Sequence, residues 1–566
     1  MRYHVLAVDY DGTLATHGRV PSAVMDSLQR LRATGRHLVM VTGRELGDLF
    51  SVFDGADVFE LIVAENGALL YRPATREVTA LADAPPPEFA AALARTGVAP
   101  VSVGRVVVAT REPHEGAVLE TIRALGLELQ VFFNKGAVMV LPSGVNKGTG
   151  LRQALRQLGL SPRNAVAVGD AENDHALLSL CECGVAVANA LPALKERADL
   201  VARGGHGAGV VEVVEALVAG DLASVPTRTD RRIPLGAGEG GREVTLDPWG
   251  TSVLLAGTSG AGKSTVAKGL LERIAERGYQ FCVVDPEGDY ADVPDTVCVG
   301  DTRHWPANDE VLQVLGRSDQ NAVVNLLGVK LEDRPKVFES LFAQLQEMRS
   351  RLGRPHWLLL DETHHVLPRD RDAALVAPQE LGGLLLVTVH PDKVAPVLLG
   401  AVDAVLAIGT APRETMAQFA SGLRIQPPEV AAEALPAGET LVWWRRMGAV
   451  ERVRTIPPRG EHRRHVRKYA TGEIPAEDHF FFRGPGERLN LRVQNLTTFL
   501  QIAEGVDDET WVHHLRRGDY SRWFRAAIKD DELAAEAEAV ERVGGSPRDT
   551  RDRIREAVEK RYTAPA

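Results

Sequence analysis

Two carboxylates two residues apart, Asp9 and Asp11, follow the apolar run 5–8 and precede Gly12 and Thr13. In α/β folds, ligands gather just past the carboxyl ends of parallel strands, and a glycine there allows a sharp turn. Alone, such a pair reads as a helix cap and a turn. Three further segments change that. Residues 38–41 run into Thr42, Gly43 and Arg44; Asn146-Lys147-Gly148 puts a lysine at a helix start; residues 165–168 run into Gly169 and Asp170, with Asn173 and Asp174 just beyond. A carboxylate pair, a hydroxyl, a lysine and a second acidic pair can together hold Mg²⁺ and a phosphoryl group. A carboxylate that attacks a dianionic phosphate needs its repulsion cancelled, and a divalent cation plus one lysine supply that.

A second set lies further on. Residues 251–256 read as a buried strand, followed by Gly257, Thr258, Ser259, Gly260, Ala261, Gly262, Lys263, Ser264 and Thr265. This is the full G-x-x-x-x-G-K-S pattern between a strand and a helix. Its glycines let backbone N–H groups wrap the phosphates of ATP, and the helix N-terminus adds a favourable dipole. Lys263 is expected to reach the β- and γ-phosphates and Ser264 to ligate Mg²⁺. Residues 357–360 are apolar and end in Asp361 and Glu362, the first suited to the Mg²⁺ shell and the second to polarising an attacking water. That pair favours hydrolysis over transfer to a hydroxyl. Asp285, Glu287 and Asp289 end another apolar run. Thr388 and His390 end a fourth, either as a γ-phosphate sensor or as an ordinary strand terminus.

The elements that must position these groups fall into blocks. Residues 1–220 and 246–455 each alternate short apolar runs with amphipathic helical stretches, the pattern of an α/β fold with a parallel sheet. Between them, 221–245 is rich in Gly, Pro and charge and reads as a linker. Residues 456–478 form a basic linker, and 479–566 read as a small helical C-terminal domain with core aromatics. His513 and His514 are adjacent and diverge on a helix, so they are not expected to share a metal.

The chain has 566 residues, 45% apolar and 25% charged, ordinary for a soluble globular protein. Its net charge of −11 argues against holding nucleic acid by bulk charge. The local basic stretch Arg459, Arg463, Arg464, Arg467 and Lys468 is left either to meet nucleic-acid phosphates or to serve as a solvated linker. Four cysteines without a C-x-x-C pair suggest neither a disulfide framework nor a zinc cluster. The N-terminus lacks a signal-peptide pattern, and the apolar run 394–409 is broken by Asp403 and too short to span a bilayer. A cytoplasmic protein with no membrane partner is expected.

The first block resembles the haloacid dehalogenase superfamily phosphatases, whose four motifs match in order and type. Ala64-Glu65-Asn66-Gly67-Ala68 and the segment 184–190 further resemble the Cof-type subgroup, with a cap between the second and third motifs. The resemblance implies a Rossmann-like phosphatase domain with a small α/β cap at about 72–142. It implies Asp9 as the nucleophile that forms an aspartyl-phosphate and Asp11 as general acid and base. Thr42 and Lys147 would hold the phosphoryl oxygens, and Asp170 would bind Mg²⁺ with Asp9 and the Asp11 carbonyl. Asp174 would support Lys147 or the metal shell. Arg105, Arg111, Arg123 and Lys135 are candidate cap contacts for an anionic substrate, most of them expected to be solvated surface. The second block resembles the HerA/FtsK-like P-loop ATPases, although His390 stands where relatives often carry glutamine. Arg413 is a candidate arginine finger, a surface ion pair being favoured. Those relatives often form hexameric rings, so a homo-oligomer is an open expectation that the fused phosphatase puts in question.

The sequence thus predicts an Mg²⁺-dependent phosphatase of a sugar phosphate, nucleotide or nucleic-acid end, fused to an ATPase that gates it or moves a polymer. Two alternatives stay open: a bifunctional kinase–phosphatase acting on nucleic-acid ends or small metabolites, and a phosphatase with a regulatory, non-hydrolysing ATP-binding module.

Overall fold

The apolar runs that end in carboxylates become the central strands of two separate sheets. The structure is a computed structural model and describes residues 1–370, 382–430, 434–459, 474, 478–528 and 530–562. In the N-terminal part, strands β1 (Val5–Asp9), β2 (His37–Val41), β3 (Leu61–Ala64), β4 (Leu69–Arg72) and β5 (Glu77–Ala80) are followed by a four-stranded antiparallel cap sheet. The cap strands are β6 (Ser102–Val103), β7 (Val108–Arg111), β8 (Leu129–Asn134) and β9 (Ala137–Pro142). The chain then returns through β10 (Ala165–Gly169), β11 (Cys183–Ala186) and β12 (Leu200–Val201). The core sheet runs β12-β11-β10-β1-β2-β3-β4-β5. Its six strands from β12 to β3 are parallel, and β4 and β5 are antiparallel additions at the edge. β5 therefore belongs to the core, and the separate cap sheet begins at Ser102.

The second sheet has eleven strands: β13 (Ile233–Ala237), β14 (Glu243–Leu246), β15 (Val253–Gly257), β16 (Phe281–Asp285), β17 (Thr296–Val299), β18 (Asn321–Asn325), β19 (Trp357–Leu360), β20 (Leu384–Thr388), β21 (Ala404–Ile408), β22 (Glu439–Trp444) and β23 (Ala449–Thr455). They lie in the order β14-β13-β23-β22-β21-β15-β20-β19-β16-β18-β17. The central parallel strands β15, β19, β20 and β21 are near-continuous apolar runs because both faces are covered, whereas the edge strand β17 is partly exposed. The stretch expected to be a linker differs from that reading: β13 and β14 form its far edge. Ile233, Leu235, Val244 and Leu246 are buried there, an alternation that the surrounding glycines mask.

The two sheets dock through the N-terminal ends of their strands, away from the carboxylates. Asn164, Gln280 and His356 directly precede β10, β16 and β19, and all three are buried. His356 Nδ1 accepts the Gln280 N–H at 2.7 Å, which leaves Nε2 to donate to Asn164 Oδ1 at 3.0 Å. Burial keeps His356 neutral by holding its pKa well below the ordinary value. Asn164 Nδ2 donates to the Arg2 and Gly353 carbonyls, and Arg163 Nε donates to the Arg277 carbonyl at 2.8 Å.

Residues 478–562 pair Phe480–Phe482 with Leu491–Val493 and add helices around Phe499, Trp511 and Tyr520. His514 bonds Asp519 at 2.8 Å and accepts the Arg483 N–H at 3.1 Å. Its ring is thus held by groups of the tail itself. Arg463, Arg464, Arg467 and Lys468 of the basic stretch lie outside the described residues. The cysteines are free, and among the described residues no helix is long and apolar enough to cross a membrane.

Candidate active sites

Parallel pairing brings the first set of residues to one edge. β1 lies between β2 and β10, so Asp9, Thr42 and Asp170 emerge side by side. Lys147 opens the helix Lys147–Gln157, whose start is fixed by Asn146: its side chain accepts the Thr149 N–H while the Thr149 hydroxyl accepts the Asn146 N–H. Lys147 Nζ donates to Asp9 Oδ1 and Asp174 Oδ1, both at 2.6 Å, with all three side chains at most 4% exposed. Burial works against the lysine charge, but Asp174 and Asp9 outweigh it and hold its pKa above the ordinary value. Burial, then repulsion from Asp174, pushes Asp9 up to about 8 against the pull of Lys147. A cation at this site would reverse that push.

Oxygens of Asp9, Asp170 and Asp174 lie within 4.8 Å of one another. Asp174 is already engaged: Oδ2 accepts the N–H groups of Asp170 and Ala171 at 2.9 Å, and Oδ1 holds Lys147. Asp9 and Asp170 therefore fit a hard divalent cation, with Asp174 orienting them. Gly12 keeps room beside them. Its φ is +84°, and a Cβ there would lie 2.3 Å from Asp170 Oδ2. Asp11 is gripped by Arg44 across both oxygens, at 2.6 and 2.8 Å. Thr42 is fully buried and its hydroxyl accepts the Arg44 N–H.

One contribution escaped sequence reasoning. Glu65, at φ +49° and 1% exposed, accepts the backbone N–H groups of Arg105, Val106 and Val107 at 2.7–2.9 Å. One core carboxylate thus pins the cap loop, and the Glu65-Asn66-Gly67 run was the only signal of it. Of the four candidate cap cations, Arg105, Arg111 and Arg123 are exposed. Lys135 alone of the four reaches the site, donating to Asp170 Oδ2 at 2.6 Å and to the Asp11 carbonyl at 3.2 Å.

The second set gathers on β15, β16, β19 and β20. Lys263, the first residue of the helix Lys263–Glu276, is folded back onto the Gly257 and Thr258 carbonyls at 3.2 and 3.1 Å. Ser264 donates to Asp289 at 3.1 Å. Asp361 is buried, and burial followed by repulsion from Glu362 raises its pKa. Glu362 takes a left-handed φ of +39°, and its carboxylate lies 3.4 Å from His364 Nδ1. His364 also meets the Thr388 hydroxyl at 3.0 Å and the His390 ring. A cleft of about 640 Å³ lies here, lined by Ser259, Glu287, Glu362, His364, His390 and Lys393. Asp285 faces its own loop. Its carboxylate accepts the N–H groups of Glu287, Gly288, Asp289 and Tyr290. Arg413 lies on the helix Pro412–Leu423 and is exposed.

Comparison with known proteins matches residues 6–92 and 103–214 to the haloacid dehalogenase-like hydrolases. Residues 239–346 match the central domain of helicase HerA, a match that stops before Asp361 and Glu362. A phosphoglycolate phosphatase of Methanothermobacter thermautotrophicus is 34% identical over 219 residues, which are 37% of this chain and 96% of that protein. One from Halorubrum lacusprofundi is 31% identical over 40% of this chain and 98% of its own length. A crystal structure of a haloacid dehalogenase-like hydrolase from Bacteroides thetaiotaomicron shares 19% identity, with 38% of this chain and 99% of that one covered and a TM-score of 0.34. Matched at this identity over nearly the full length of its relatives, the chain belongs to the haloacid dehalogenase-like hydrolases, as a phosphatase fused to a HerA-type ATPase domain.

Proposed function

We propose that the chain hydrolyses a small anionic phosphomonoester through a covalent phosphate on Asp9, and that its second domain binds and hydrolyses ATP. The observation that carries the first half is the buried Asp9–Lys147–Asp174 relay beside Asp170. Lys147 takes Asp9 Oδ1 and leaves Oδ2 to attack phosphorus. Thr42 and Lys147 stabilise the transferring oxygens. Asp11 protonates the leaving group and then takes a proton from water, so it must first exchange the grip of Arg44 for the substrate. Mg²⁺, when held by Asp9, the Asp11 carbonyl and Asp170, supplies the charge that cancels repulsion between carboxylate and phosphate. The names of the relatives point to phosphoglycolate, a two-carbon phosphorylated acid, as the first substrate to test.

In this reading residues 1–220 are the phosphatase and 479–566 a separate C-terminal domain. The ATPase extends the expected 246–455 back to Ile233, with β13 and β14 as its edge. Residues 257–265 cradle the phosphates of ATP, Ser264 and Asp361 serve Mg²⁺, and Glu362 polarises the water. Hydrolysis is favoured over transfer because Asp285, the base that a kinase would need, is committed to four backbone N–H groups. The polar docking through Asn164 and His356 gives a route by which the nucleotide state gates the phosphatase. The test is a release assay on 2-phosphoglycolate, sugar phosphates, nucleotides and phosphorylated oligonucleotides, with and without ATP. Asp9→Asn is expected to lower turnover by several orders of magnitude. Near-parental turnover in Asp9→Asn would refute the covalent route.

A further inference from the structure

Lys135 sits at the tip of the cap hairpin between β8 and β9, with φ +49°, and Gly136 follows at φ +84°. Two successive residues at positive φ make a tight turn whose tip direction is fixed. That turn reaches across to the core. Among the described residues, Lys135 is the one cap side chain that ion-pairs with a core carboxylate. Its ammonium lies 2.6 Å from Asp170 Oδ2 and 3.2 Å from the Asp11 carbonyl. The space it fills exists because residue 12 is glycine: a Cβ there would stand 2.4 Å from Lys135 Nζ.

Those two oxygens are the ones a divalent cation needs. An octahedral Mg²⁺ binds oxygen at about 2.0–2.1 Å, and an ammonium cannot keep hydrogen-bond distance to the same atoms beside a double positive charge. One of the two must leave. Asp170 Oδ1 accepts the Thr13 hydroxyl and Oδ2 accepts Asn189 Nδ2, both at 3.3 Å, so Lys135 on Oδ2 is the short, charged contact that a cation would have to displace. The lysine is free to yield, since its side chain is 46% exposed and ends in a flexible stem. Glu65 holds the cap elsewhere through Arg105, Val106 and Val107, so releasing Lys135 frees the hairpin without undocking the cap.

We propose that Lys135 is a tethered counter-ion that competes with the divalent cation for Asp170 Oδ2 and the Asp11 carbonyl. Cation loading and seating of the hairpin tip then exclude each other. The proposal rests on the metal reading of the site given above. In the cation-free protein the ammonium satisfies a buried carboxylate and seals the cap. In the loaded protein the freed ammonium lies at the cap–core boundary, where the anionic substrate enters.

The test is calorimetric titration of the full-length protein with Mg²⁺ alone, without nucleotide or substrate. The parent is compared with Lys135→Met, Lys135→Arg and Asp170→Asn. Lys135 is at an exposed hairpin tip, so these variants should fold, which circular dichroism checks. Removing a partly exposed competing ion pair should tighten Mg²⁺ binding about fivefold to tenfold in Lys135→Met, while Lys135→Arg keeps a cation and stays near the parent. Amide exchange across 129–142 should rise with Mg²⁺ in the parent and be already high in Lys135→Met. Unchanged or weaker Mg²⁺ binding in Lys135→Met would overturn the proposal and leave Lys135 as a substrate contact only. Parental Mg²⁺ binding in Asp170→Asn would instead overturn the metal reading beneath it.

Discussion

Glu182→Gln should loosen the docking of the two catalytic domains, and its cost can be worked from the structure. The Glu182 side chain is 0% exposed. It accepts Arg2 Nη2 at 2.7 Å, Trp249 Nε1 at 3.1 Å and the Tyr279 hydroxyl at 3.0 Å, with Arg163 Nη1 at 3.6 Å. Arg2 and Arg163 belong to the phosphatase side, Trp249 and Tyr279 to the ATPase side. Glutamine keeps the shape but turns one acceptor into a donor facing donors, and leaves two guanidiniums without their counter-charge. Removing one partner of a buried ion pair costs about 3–5 kcal/mol. Arg2 and Arg163 are 18% and 12% exposed, so water recovers part, and about 2–4 kcal/mol is expected. In a fragment ending near residue 228, Glu182 faces water in place of Trp249 and Tyr279, and the same change should cost about 0–1 kcal/mol. Urea unfolding followed by tryptophan fluorescence compares the two. At ordinary slopes the first transition of the full chain should fall by roughly 1 M. An equal shift in fragment and full chain would show that Glu182 supports the phosphatase fold alone and would refute the docking argument.

Three further changes probe the separate sites. Gly12→Ala forces a Cβ to 2.3 Å from Asp170 Oδ2 and should cut phosphatase turnover about 100-fold with circular dichroism unchanged; parental turnover would mean that Asp170 is not needed where it stands. Glu362→Gln should retain bound ATP and slow phosphate release by roughly 10²–10⁴-fold, and transfer of γ-label to a hydroxyl acceptor would refute the hydrolase assignment. His4 is buried, and burial lowers its pKa to about 4 from 6.5, so it folds neutral and must charge on unfolding. Its contribution is present above pH 6.5 and lost as pH falls toward 4. The stability advantage of the parent over His4→Asn should therefore shrink by roughly 1.4 kcal/mol per pH unit across that window, and a pH-independent difference would contradict it.

The residues of both sites were legible because each sits within a few positions of a strong local signal. Val5–Asp9, Ala165–Gly169, Val253–Gly257 and Trp357–Leu360 are apolar runs ending at or beside an acid or a glycine, and a parallel sheet sends such ends to one edge. Their neighbours in space needed pairing information that spacing does not carry. β13 reads as linker because its glycines hide the alternation, although one partner, β14, follows directly and the other, β23, lies about two hundred residues on. Asp285 ends a strand as a catalytic acid would, yet its oxygens close the following loop. Only the loop geometry separates the two uses of the same residue type.

The docking surface shows the same limit from the other end of the strands. Asn164, Gln280 and His356 are single polar residues just before apolar runs, a position where a turn residue is the ordinary reading. In this chain they are buried: Asn164 and His356 bond each other across the junction, and Gln280 holds His356 and Arg354 from the ATPase side. The Arg354 guanidinium donates to the Gly159 carbonyl on one side and to Gln280 Oε1 on the other. These bonds resist sliding, because a displacement would leave their buried donors without acceptors. β10 carries Asp170 at its far end and β19 carries Asp361, and both strands start at this junction. In the proposed gating, a shift in the ATPase sheet would reach the phosphatase carboxylate through two strands and one histidine–asparagine bond. Asn164→Ala should weaken any effect of ATP on phosphatase turnover while leaving ATP hydrolysis near the parental rate. An undiminished ATP effect in that variant would place the coupling elsewhere.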